Sequence, residues 1–186
     1  MISEDTKKKN EMLFFKRLNQ LGIDTECMSK ELGEKILNAT FTLSNEYGQA
    51  YDGSFLEIVL KKLTPYAVKI NELLPESVRV DKDSLVKVCL LHQVAKAVKI
   101  VPNDNIWEME KRGLLYKYDK SQPSIKTGLH SLVLCQNCGV TFTPQEAEAM
   151  TINDREPTDE QAKWFSSVMA TIVKQANELT YATIKN

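Results

Sequence analysis

Histidine is nearly absent from this chain: only His92 and His130 occur among 186 residues. That excludes any transition-metal site needing several imidazole ligands. Cysteine is also sparse, at four (Cys27, Cys89, Cys135 and Cys138). Cys135 and Cys138 are spaced as half of a zinc knuckle, but no second Cys or His pair stands at workable spacing. As a redox motif the pair lacks a βαβ context, which leaves a structural role at a helix end, with thiol chemistry at Cys138 as the alternative. Cys89 lies in the apolar run Val88-Cys89-Leu90-Leu91, where a thiol behaves as a small hydrophobe. No Gly-x-Ser-x-Gly elbow of a hydrolase triad occurs.

Long apolar runs are missing too. No stretch approaches the roughly 20 residues of a membrane span, and Met1 is followed by polar, acidic residues rather than a signal peptide. The expectation is a cytoplasmic protein with all four cysteines reduced and no membrane partner. Charge of one sign is not in excess: 24 basic against 25 acidic residues give −1, so no global field favours nucleic acid. The Lys7-Lys8-Lys9 run reads as a solvated helix face.

What is present is ordinary for one globular domain over 1–186, with 42% hydrophobic and 26% charged residues. Helical periods dominate. Met12, Leu13, Phe14, Phe15, Leu18 and Leu21 form a stripe stopped by Gly22. A short helix is expected over 26–38, a structured loop over 38–53, and a long helix over 54–74 that Pro65 kinks or splits. Asp83 is a plausible N-cap for a helix running to about Val98. Residues 100–124 are the least helical, with Leu114–Tyr118 as an extended segment or hairpin arm. A further helix covers 125–137. Thr143-Pro144-Gln145-Glu146 is a capping box with Pro at the first helical position. Thr158–Gln161 repeats it and opens a last helix whose stripe carries Trp164, Phe165, Val168, Met169, Ile172, Val173, Ala176 and Leu179. The fold class is all-α, with a small irregular or hairpin insertion near 100–124.

Leu90-Leu91-His92-Gln93-Val94-Ala95-Lys96 is one residue away from a metal-hydrolase signature. Together with the loop from Asn45 through Gly53 to Glu57, the stretch Trp107–Tyr118 with Gly113, then Gly128, Ser131 and the box at Thr143, it resembles the HD-domain phosphohydrolases in order and approximate spacing. The likeness spans Asn45 to Asn177, about two thirds of the chain. It implies an HD-like helical bundle. It also implies ligand positions, and these have changed: Ile58, Gln93, Thr127, Asn153 and Asn177 stand where the family carries His or Asp, and only His92 remains. The standard metal is therefore not expected, and no cofactor is implied. Asn153, Asn177 and Gln93 are expected to bond one another or water in a neutral, repacked centre.

The family's Lys near the substrate phosphate falls on Lys96. Lys96 reads either as a surface Lys with a packed stem or as part of an anion pocket with His92, Gln93, His130 and Tyr47 or Tyr51. The leading expectation is a non-catalytic binding or regulatory module for a nucleotide, another phosphorylated small molecule or a protein partner. The alternative is a divergent phosphohydrolase that recruits Asp154, Glu57 or Asp52 around Mg²⁺. Oligomeric state is not readable from the sequence.

Overall fold

A computed structural model of the chain describes residues 2–45, 49–155 and 166–185. Helix makes up 66% and strand 5%, so the fold is all-α with one small hairpin.

Helix α1 (Glu4–Gln20) is capped by Ser3, whose side chain accepts from the Thr6 amide. It buries Lys7, Asn10, Phe14 and Leu18, spaced three or four apart, while Met12 and Leu13 of the expected stripe are exposed. Lys7 is not on a solvated face. Its ammonium donates to Glu4 Oε1 at 2.7 Å and to Asn38 Oδ1 at 3.0 Å. The expected 26–38 helix is two, α2 (Glu26–Leu32) and α3 (Glu34–Asn38), divided by Gly33 at φ +49°.

Pro65 does not split its helix. The backbone runs from α4 (Ser54–Ile58) through one π turn (Val59–Leu63) into α5 (Thr64–Leu73). The amide of Thr64 donates to Val59 O, five residues back. Proline has no N–H and its ring crowds the carbonyl four residues earlier, and the wider turn just before it accommodates both.

Helix α6 (Lys82–Leu91) is capped by Asp81, which accepts from Ser84 N at 2.8 Å, rather than by Asp83. It ends sooner than expected. Residues 92–95 form tight turns with i→i+3 bonds (Val94 N to Leu91 O, 3.0 Å; Lys96 N to Gln93 O, 2.9 Å) leading to the single turn α7 (Lys96–Lys99). The amide of Ala95 donates to Ser131 Oγ at 3.0 Å. The hairpin pairs β1 (Ile100–Pro102) with β2 (Tyr116–Tyr118), Ile100 opposite Tyr118, and holds an unforeseen helix α8 (Ile106–Arg112) between its strands. Asn105 caps α8, and Gly113 at φ +61° ends it.

Helix α9 (Thr127–Asn137) leads to α10 (Pro144–Thr151), where both bonds of the Thr143–Glu146 capping box are made. A 3₁₀ turn, Ile152–Asp154, follows. The last helix, α11 (Val168–Ile184), is capped by Ser167 in extended backbone. The box at Thr158–Gln161, Trp164 and Phe165 lie outside the described residues. Val168 and Leu179 of the expected stripe are exposed, whereas Met169, Ile172, Val173 and Ala176 enter the core. The buried apolar side chains form one cluster running from Phe14 through Phe55, Leu85 and Met150 to Ile184.

A disulfide joins Cys27 on α2 to Cys138 at the C-cap of α9, across 111 residues. This corrects the expectation of four reduced thiols. It also removes Cys135 and Cys138 as a unit, since Cys138 is bonded elsewhere. Cys89 and Cys135 are buried free thiols, pushed up to about 12 by burial, and so remain protonated. No helix among the described residues is long and apolar enough to cross a membrane.

Candidate functional site

The break between α6 and α7 opens onto a cleft of about 780 Å³. His92 and Gln93 at the end of α6 and Lys96 and Lys99 of α7 form one wall. Tyr118 and the segment 119–126 form another, and Thr127 and Gly128 open α9 beside it. Met150, Asn153 and Asp154 approach from α10 and its 3₁₀ turn, and Asn177 and Tyr181 from α11. Five of the six positions at which the HD likeness places metal ligands therefore face one space: the retained His92 and the altered Gln93, Thr127, Asn153 and Asn177. Ile58 does not. It is buried on α4 in the apolar core.

The polar centre is a short chain of bonds. His92 Nδ1 lies 3.3 Å from the Cys89 carbonyl, and with the proton on Nδ1 it donates there. Gln93 Nε2 then donates one hydrogen to His92 Nε2 at 3.0 Å and the other to Asn177 Oδ1 at 2.8 Å. Gln93 Oε1 is buried with no partner among the described residues. Burial, and secondly the nearby Lys96 ammonium, hold His92 down to about 4, so the ring is neutral near pH 7. Asn153 does not join this chain. It is exposed at the rim.

This donor set does not suit a metal ion. His92 spends its Nε2 lone pair on Gln93, and Asn177 Oδ1 is taken by the same amide. Asp154 accepts from the Gly128 and Leu129 amides at 2.9 and 2.7 Å, which uses its carboxylate as the N-terminal ligand of α9. Asp52 and Glu57 lie off the cleft, bonded by Tyr116 and by Tyr51 and Lys61. The three carboxylates of the Mg²⁺ reading thus do not converge. Among the described residues no three of His, Cys, Asp or Glu group closely enough to hold a cation.

Lys96 is the unusual charge. It is 9% exposed, and its ammonium donates to Phe41 O at 2.8 Å and Tyr181 Oη at 3.2 Å. It also sits 3.9 Å from the centroid of the Phe41 ring. Among the described residues no carboxylate pairs with it, and one of its three donors has no acceptor. Lys99, one helical turn on, is likewise buried and donates to Ile125 O. Four lysines face the cleft (96, 99, 120 and 126) against two aspartates. Both aspartates are committed to backbone amides, Asp119 to that of Ser121 at 2.9 Å.

The remaining candidates lie elsewhere. His130 is buried on α9 with Nδ1 unpartnered among the described residues, and it does not line the cleft. Burial first and Lys99 second lower its pKa. Tyr51 points its hydroxyl at Glu57 Oε2, 2.8 Å away, outside the cleft. Tyr47 is outside the described residues. The sequence reading missed Lys99, Tyr118 and Tyr181. Lys99 carried a signal, since it follows Lys96 by three residues on one face. The two tyrosines come from distant segments and carried none. No family model, no curated protein and no solved structure matches the chain.

Proposed function

We propose that this chain is a non-catalytic binding or regulatory module on an HD-like helical scaffold, and that its cleft takes a nucleotide or another phosphorylated small molecule. The carrying observation is the buried Lys96 ammonium, which faces the cleft with no carboxylate partner among the described residues. A buried cation held among the described residues by a carbonyl, a phenol and two ring faces is incompletely compensated, and an anion completes it. Lys99 adds a second charge on the same wall, and Tyr118 and Tyr181 supply rings within it. The neutral His92–Gln93–Asn177 chain adds polar groups without negative charge beside the two lysines.

The test is calorimetric titration and thermal shift with nucleoside mono- and diphosphates and with inorganic pyrophosphate, on the native chain and on Lys96→Met. Saturable binding that weakens with salt is expected. The variant should bind about ten- to a hundredfold more weakly, the range for losing a charged hydrogen bond. Absence of any shift, or equal binding by Lys96→Met, overturns the phosphate reading. Mg²⁺-dependent hydrolysis abolished by Asp154→Ala would instead make the chain an enzyme.

A further inference from the structure

A second pocket, of about 480 Å³, lies where the end of α1 meets the length of α5 and the start of α6, and it shares no residue with the cleft. Leu21, Pro65, Val68 and Val86 give it an apolar lining. Of the polar side chains in its wall, the two that are not exposed lack partners among the described residues. The half-buried Arg17 makes no side-chain hydrogen bond or ion pair with any described residue, although it sits in the last turn of α1 with the pocket before it. Thr64 is 4% exposed, and its hydroxyl has no partner either.

The orphan hydroxyl follows from the π turn. A helical Thr ordinarily turns its hydroxyl onto the carbonyl four residues back. Thr180 does so with Ala176 O at 2.7 Å and Thr151 with Ala147 O at 3.2 Å. Thr64 follows a turn whose bond runs five residues back, to Val59 O, and makes no such contact. Isolated π turns recur at functional sites, where they move side chains out of helical register.

We propose that this pocket binds a small organic monocarboxylate with an apolar body. The Arg17 guanidinium presents a planar fork that matches a carboxylate, Val68 and Val86 take the hydrocarbon, and a turn of the Thr64 side chain brings its enclosed, unpartnered hydroxyl to the ligand. Glu72 and Asp83 line the pocket alongside Lys69 and Lys82, with Glu72 3.6 Å from Lys82, so these four charges offset one another and Arg17 supplies the net positive charge that a single carboxylate balances.

Hexanoate and phenylacetate, with hexanamide as the uncharged match, are the probes for ligand-observed NMR and calorimetry on the full chain. Saturable hexanoate binding is expected, with hexanamide about tenfold weaker or worse. Arg17→Gln should weaken hexanoate by about tenfold and Thr64→Val by a few-fold, while Lys96→Met leaves it unchanged. Equal binding of hexanamide by the native chain overturns the proposal without any variant. So does non-saturable binding, or a loss seen only in Lys96→Met, which would place the acid in the cleft.

Discussion

One amide nitrogen of Gln93 serves two acceptors, and that fixes the state of His92. With Nε2 accepting from Gln93 and Nδ1 facing a carbonyl, the ring has no use for a second proton, and burial beside Lys96 opposes one. The folded-state value of about 4 lies below the ordinary value near 6.5. Between these the unfolded chain binds the extra proton and the folded chain does not, so stability from this group falls as pH drops through that window and is level above it. Urea midpoints measured at pH 4.5, 5.5 and 7.5 should decline toward acid in the native chain. The decline should be shallower in His92→Gln, and parallel profiles would show that His92 is not the proton acceptor. Lys96 is a different case at the same scale. Its position one turn after His92 is readable in sequence, but its lack of a carboxylate among the described residues is not, because its partners Phe41 and Tyr181 come from distant segments.

Local signals located elements well where one segment decides the outcome. The Thr143–Glu146 box and Pro144 set the start of α10 without help from elsewhere. Asp81 and Asp83 are both good caps two residues apart, and the extended backbone at Asp81 selects it. The end of α6 was not legible, since Ser131 on another helix accepts the freed Ala95 amide. Gly128 shows how closely two elements meet at the cleft. A Cβ there would stand 2.4 Å from Met150 O and 2.7 Å from Asp154 Oδ2, and the first of these is backbone. Gly128→Ala should therefore cost about 1–3 kcal/mol, the range for overpacking, and loosen the cap that Asp154 makes on α9. Denaturant unfolding reads the cost, and hydrogen exchange at the Leu129 amide reads the cap. An unchanged midpoint with unchanged exchange would mean that α9 and α10 sit further apart.

Across the whole molecule the Cys27–Cys138 bond closes a loop of 111 residues and ties α2 to the far end of the helix that opens at the cleft. Chain-entropy arguments put the stabilisation from such a closure at about 4–5 kcal/mol, and measured losses are typically about 2–5. Reduction, or Cys138→Ser, should lower the unfolding midpoint accordingly, with Cys135→Ser as a control for the neighbouring buried thiol. Thiol titration of the denatured, non-reduced chain should find two free groups, Cys89 and Cys135. Four would remove the bond and restore the reduced state that the composition suggests.

Composition and periodicity by themselves determined the all-α class, the hairpin interruption near 100–124 and the lack of a multi-imidazole metal site, because each depends on residue types or on spacing within one segment. The tertiary structure alone decided the cleft, the pairing of Cys27 with Cys138 and the π turn's orphan hydroxyl. His92 and Asn177 are 85 residues apart in the numbering yet share the amide of Gln93. Contacts of that kind are set by the packing of α6, α9, α10 and α11 on one core, which no single segment encodes.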